Sequence, residues 1–198
     1  MKVIGITGGV GSGKSAVLKE IKQKYNCEIF IADDAAKKLE QKGMPCYEPL
    51  INLLGEDILD ENLQIMPKAM SQKIFTDPAL LQAVNDIVHP AVKAYILETI
   101  EKHKKAQDIV YFFIEAALLI ECGYMEVVDE MWYIYTNEGV RRERLKASRG
   151  YSDEKIDSIM MNQLSEEEYR KNCTFIVDNS YSLEKTMEII DKRLGMLR

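Results

Sequence analysis

The chain has 198 residues, enough for one domain with a full core and small appended lobes. Its 32 acidic residues outnumber its 26 basic ones, and the net charge of −6 argues against a nucleic-acid surface as the main business. No apolar run approaches the length of a membrane span, so no membrane partner is expected.

Met1-Lys2 leads directly into a strand pattern, so no signal peptide is expected. Val3 to Thr7 reads as a short buried strand, and Lys14 to Tyr25 as a helix with Val17, Leu18 and Ile21 on one face. Between them, Gly8-Gly9-Val10-Gly11-Ser12-Gly13-Lys14-Ser15 fits the phosphate-binding pattern G-x-x-x-x-G-K-[ST]. Glycines let successive amides converge on phosphate oxygens, and the helix N-terminus adds partial positive charge. The pattern gives Lys14 the β- and γ-phosphates of a nucleoside triphosphate and gives the Ser15 hydroxyl Mg²⁺.

Glu28 to Ala32 reads as a second strand, followed at once by Asp33 and Asp34. A carboxylate there suits a base that accepts a proton from an attacking hydroxyl, and equally suits a helix N-cap before Ala35-Ala36. The next strand, Ile109 to Ile114, lies too far on for one crossover helix. Gly43-Met44-Pro45, Leu54-Gly55 and Asp77-Pro78 divide the gap, so a helical insertion is expected over residues 35–88. His89-Pro90 is expected to open a helix from Ala91 to Lys105, with Lys102-His103-Lys104-Lys105 suiting the dipole of its last turn. His89 there is either a substrate contact or a partly buried ring.

Glu115 ends the third strand, where an acid can hold Mg²⁺ or simply be solvated; Glu121 is a weaker candidate. Met131 to Thr136 reads as a fourth strand and residues 137–171 as a charged lid. Arg141-Arg142-Glu143-Arg144-Leu145-Lys146-Ala147-Ser148-Arg149 packs five basic residues into nine. Arginines on a closing lid neutralise phosphoryl-transfer charge, whereas the ordinary alternative is a solvated face paired with acids such as Glu143 and Glu154. Phe175 to Val177 reads as a fifth strand, and Ser182 to Arg198 as a closing helix with Leu183, Met187, Ile190 and Leu194 inward. This alternation predicts an α/β fold with a five-stranded, mostly parallel sheet. Cys27, Cys46, Cys122 and Cys173 form no Cys-x-x-Cys pair, and with the phosphate loop they fit free thiols in the cytoplasm.

Gly5-Ile6-Thr7-Gly8-Gly9-Val10-Gly11-Ser12-Gly13-Lys14-Ser15, Ile31-Ala32-Asp33, Ile87-Val88-His89-Pro90, Glu115 to Glu121, Arg144 to Arg149, Gln163 and Asn179 together resemble, in order and over nearly the whole chain, the dephospho-coenzyme A kinase family. Glu115 to Glu121 is similar to its Asp-x-Pro-Leu-Leu-Phe-Glu stretch, and Arg144 to Arg149 to its Arg-Leu-x-x-Arg lid segment. The resemblance implies a single P-loop kinase domain over residues 1–198. It implies transfer of phosphoryl from ATP to the ribose 3′-hydroxyl of dephospho-coenzyme A, with Mg²⁺. It assigns Gly9, Gly11, Ser12, Gly13, Lys14, Ser15, Ala16, Arg144 and Arg149 to ATP, and Ser15 and Glu115 to the metal. Asp33 becomes the base, with Lys14 and Arg144 also catalytic, and His89 and Leu118 hold the acceptor. The chain departs from the family at Ile31, where an aspartate is usual, and at Ala117, for a proline. It departs again at Thr174, often an aspartate, and at Val140-Arg141, which lacks the lid glutamine.

A kinase of another nucleotide or small alcohol shares the loop and the arginines, and a non-catalytic binder of ATP or a coenzyme shares the loop. A guanine-nucleotide switch is disfavoured, because neither Asp-x-x-Gly nor Asn-Lys-x-Asp occurs.

Overall fold

Runs of large apolar residues buried on both faces make strands that need cover on both sides, as in parallel sheets. The computed structural model describes residues 1–116 and 118–196, so Ala117 and the last two residues of the closing helix expected from the sequence, Leu197 and Arg198, lie outside the described residues. The strands are Lys2–Thr7 (β1), Cys27–Ile31 (β2), Tyr111–Glu115 (β3), Glu130–Tyr135 (β4) and Phe175–Asp178 (β5). They form one sheet in the order β2-β3-β1-β4-β5. β1 runs parallel to both β3 and β4, and β4 parallel to β5. The C-terminal end of β1 therefore lies where the strand order reverses, the usual ligand crevice of an open α/β sheet.

The chain divides into two units, Met1–Ile29 with Gln107–Arg198, and Phe30–Ala106. The first is built on the sheet. Helix Lys14–Lys24 (α1) buries Val17, Leu18 and Ile21 against it. Helix Leu183–Met196 (α9) buries Met187, Ile190 and Leu194, with Leu183 packed partly against the same core. An aromatic row crosses the sheet from Tyr111 through Phe113 and Trp132 to Phe175, with ring centroids 6.2, 6.0 and 5.2 Å apart. Glu130 is buried beside this row. It accepts from Trp132 Nε1 at 2.7 Å and from Arg193 Nη2 at 2.8 Å, which ties α9 to β4.

The second unit is helical: Ala32–Leu39 (α2), Tyr47–Leu54 (α3), Pro67–Phe75 (α4) and Pro78–Ala106 (α5). Asp77 Oδ1 caps α5 by accepting from the amides of Ala79 and Leu80, both at 3.0 Å. Two expectations change here. His89-Pro90 does not open a helix, because α5 runs straight through Pro90. Val84, Val88, Val92, Ile96 and Ile100 form one buried stripe along it, and continuous packing against α2, α3 and α4 outweighs the one backbone bond that proline removes. The unit also runs past residues 35–88 to Ala106, because that stripe does not stop at the proline.

Burial holds the hydroxyls of Tyr124, Tyr133 and Tyr169 up at about 12, and the Cys173 thiol up at about 12. The unfolded chain loses these protons near its ordinary values, 9.0 for the thiol and 10.0 for the phenols, while the folded chain keeps them. The folded state then binds more protons, so stability falls as pH rises from about 9 towards 12. The urea midpoint is expected to be lower at pH 10.5 than at pH 8, with a shallower loss in Tyr169→Phe; equal midpoints would remove the burial argument. Arg193→Ala, which strips the buried Glu130 carboxylate of its cation, is expected to cost about 1–3 kcal/mol in the same unfolding measurement. An unchanged midpoint would reduce that pair to a surface contact.

Candidate nucleotide site

The loop between β1 and α1 has a shape that only glycine permits at key points. Gly13 sits at the N-cap of α1 with φ 87°, and a Cβ there would fall 2.4 Å from Asn179 Nδ2. At Gly8, φ is 148° and a Cβ would meet the Ile134 carbonyl oxygen at 2.6 Å. No side chain caps α1, so the partial positive charge of its N-terminus is not offset by a capping oxygen, as suits an anion site. The hydroxyls of Thr7 and Ser12 are buried without hydrogen-bond partners, as suits a cradle that an anion completes.

The carbonyls of the loop, by contrast, are held. Lys14 Nζ donates to Gly8 O at 2.7 Å and lies 3.7 Å from Glu115 Oε1. Ser12 N donates to Gly9 O at 3.2 Å. Arg141 Nε donates to Val10 O at 3.0 Å, and Val10 N donates to Gln163 Oε1 at 3.2 Å. Thr136 Oγ1 and Asn179 Nδ2 both donate to Ser12 O, at 2.9 and 2.7 Å.

The charged region after β4 forms helices Glu138–Arg149 (α6), Asp153–Met161 (α7) and Glu166–Asn172 (α8). α6 presents two charged faces. Arg142 donates to Asp157 and Glu138, and Lys146 pairs with Asp153 at 2.9 Å. These bonds raise the pKa of Arg142 and Lys146 and lower that of Asp153. This is the solvated face expected of a charge run, with Glu138, Asp153 and Asp157 as partners in place of Glu143 and Glu154. The other face meets the phosphate loop. Arg144 Nη2 donates to Asn179 O at 2.9 Å, and a Cβ on Gly13 would lie 3.3 Å from Arg144 Nη1. Arg141 lies over Gly9, its Nη2 2.4 Å from where a Cβ would stand.

The first unit thus brings together Gly9, Gly11, Ser12, Gly13, Lys14 and Arg144, with Ser15 and Ala16 exposed in the first turn of α1. Arg149 is different. It ends α6, exposed, with its guanidinium 5.8 Å from the Tyr151 ring. It lies five positions after Arg144, one more than the step in Arg-Leu-x-x-Arg, and that step turns it about 140° around the helix. Leu118 is exposed in the turn after β3. In the second unit, Asp33 and Asp34 lie in the first turn of α2, exposed. Neither caps the helix: the cap position is Ile31, without a side-chain bond, and Asp34 pairs with Lys37 at 3.1 Å. His89 is partly buried within α5. Thr174, where the family often has an aspartate, stands just before β5 and accepts from Met131 N at 3.1 Å.

Thr136 was not anticipated as a site residue, Gln163 and Asn179 entered only through the resemblance, and Arg141 only as one of the run. The signal available for Thr136 and Asn179 was position alone: each directly follows a strand, at the edge where the loop lies.

The family model described as dephospho-CoA kinase matches residues 2–185. The chain belongs to the dephospho-CoA kinase family. It is 33% identical over 178 residues to a dephospho-CoA kinase of Staphylococcus epidermidis, covering 90% of this chain and 86% of the relative. With that of Streptococcus mutans it shares 32% over 197 residues, covering 100% and 98%. It has the fold of the dephospho-CoA kinase from Campylobacter jejuni, at a TM-score of 0.74 and 21% identity, covering 99% and 98% of the two chains. In this dephospho-CoA kinase family member, Gly13→Ala is expected to weaken ATP binding at least about tenfold by calorimetry, because the Cβ meets Asn179 and the left-handed backbone is strained. Unaltered affinity would mean that the loop is not held as the structure shows.

Proposed function

We propose that the chain transfers the γ-phosphoryl group of ATP to the ribose 3′-hydroxyl of dephospho-coenzyme A, giving coenzyme A and ADP in the cytoplasm. The observation that carries this reading is the phosphate loop with its carbonyls held and arginines laid along it, in a chain of the dephospho-CoA kinase family. Amides of the phosphate loop that the protein does not itself engage, together with the helix N-terminus and the ammonium of Lys14, bind the triphosphate. Arg144 and Arg141 add positive charge along Gly13 and Gly9; the geometry favours Arg141 over Arg149 for the second lid cation.

Ser15 and Glu115 would hold Mg²⁺. Few protein oxygens suit this cation, which keeps waters and shares substrate phosphates, and among the described residues no cluster of three or more His, Cys, Asp or Glu forms a dedicated cage. When bound, it would neutralise charge on the β- and γ-phosphates. Lys14 lies between Glu115 and Gly8 O, so its ammonium can turn to phosphate oxygens while Glu115 keeps a carboxylate for the metal.

Asp33 takes the proton of the 3′-hydroxyl as its oxygen bonds to the γ-phosphorus, and the electron pair of the broken bond leaves with ADP. This assignment draws on the resemblance of Ile31-Ala32-Asp33 and on an exposed carboxylate just after β2. His89 and Leu118 hold the acceptor. Among the described residues no helix is long and apolar enough to cross a membrane.

The test is ADP release with ATP, Mg²⁺ and dephospho-coenzyme A, run beside adenosine, AMP, CMP and pantothenate. Turnover confined to dephospho-coenzyme A, with coenzyme A formed, is expected; turnover only with another acceptor would overturn the reading. Asp33→Asn is expected to lose about 10²–10⁴ in kcat while still binding ATP. Near-normal turnover would remove Asp33 as the base.

A further inference from the structure

The carbonyl of Ser12 accepts two hydrogen bonds from behind the loop, one of them from Asn179 Nδ2 at 2.7 Å. A trans peptide plane carries its C=O and the following N–H on opposite sides. Among the described residues no peptide bond is cis, so gripping Ser12 O from behind aims the Gly13 amide forward, into the cradle. Asn179 is buried and can do this only if its amide nitrogen, not its oxygen, faces Ser12. That orientation is set by what the oxygen meets. Thr186 Oγ1, buried on α9, stands 2.9 Å from Asn179 Oδ1 and donates to it. The backbone oxygen of Asn179 in turn receives Arg144 Nη2 at 2.9 Å.

We infer that Thr186 is a positioning residue for the nucleotide: through Asn179 it fixes the direction of the Ser12–Gly13 peptide and the seat of Arg144. The inference rests on the proposed use of this loop for ATP. Without the Thr186 hydroxyl, the Asn179 amide loses the partner that sets its orientation. A flipped amide puts oxygen against the Ser12 carbonyl, which repels it and frees the peptide to turn. The other acceptors near the hydroxyl, Asp178 O at 3.3 Å and Ser182 O at 3.2 Å, are longer contacts on backbone that β5 and α9 already hold.

The experiment compares Thr186→Val, which keeps the shape and removes the hydroxyl, with Thr186→Ser, which keeps the hydroxyl. The smaller Thr186→Ala serves if the valine variant does not fold. Affinity for ATP with Mg²⁺ is read by calorimetry on the full chain, with KM for ATP and for dephospho-coenzyme A alongside. Thr186→Val is expected to bind ATP about five- to tenfold more weakly, with Thr186→Ser near wild type. KM for ATP should rise while KM for dephospho-coenzyme A stays put.

Ile190→Val loosens the packing of the same helix without touching the relay and is expected to lower the melting temperature with ATP affinity intact. Thr186→Val affinity within about twofold of wild type, or an equal loss in Ile190→Val, would overturn the inference. A wild type that binds ATP yet does not phosphorylate dephospho-coenzyme A would overturn the proposed acceptor and leave the Thr186 comparison decisive.

Discussion

A loop that binds phosphate must turn its amides to the ligand and keep its carbonyl oxygens away, since each oxygen repels the anion it would face. Here the carbonyls of Gly8, Gly9, Val10, Ser12 and Gly13 all accept bonds from elsewhere in the first unit. The donors come from within the loop, from α1, from the residue after β4, from the residue after β5 and from α6. The sheet must hold those strand ends in register for the donors to converge. The aromatic row and the Glu130–Arg193 tie serve that end by fixing β4 and α9 to the core.

Charge is divided on the same logic. α6 carries its basic residues on two faces, with Leu145 buried between them. One face spends Arg142 and Lys146 on the carboxylates of Glu138, Asp153 and Asp157, which braces α7. The other gives Arg141 and Arg144 to backbone oxygens that lie along the loop. A guanidinium has five donors, so bonds to the protein leave capacity for phosphate while setting the side chain in place. Lys14, between a carbonyl and Glu115, is held in the same way.

The helical unit shows how packing overrules a local signal. Proline within a helix removes a hydrogen bond and clashes with the preceding turn, and a reading of His89-Pro90 from neighbours alone starts a helix there. The apolar stripe from Val84 to Ile100 continues at four-residue steps across Pro90, and burying all of it requires a single rod. The same stripe carries the unit to Ala106.

Much of the fold was legible because strands and helices are written in local periodicity. All five strands were found to within two residues, and the inward face of α9 was read correctly. The phosphate loop was legible for the same reason: its glycines, lysine and serine must be neighbours in the chain to curl around one anion. Asn179 and Thr136 converge on Ser12 from 167 and 124 residues away, and Gln163 meets Val10 across 153. Spacing carries no record of such meetings. Nor does it say which arginine of a run faces the loop, because that depends on the rotation of α6, set by burial of Leu145 and the ion pairs of α7. The sequence by itself determined the elements and the loop chemistry, which are local. Only the tertiary structure decided which side chains hold that loop, because their convergence is a property of packed strand ends and not of the order in which the residues are joined.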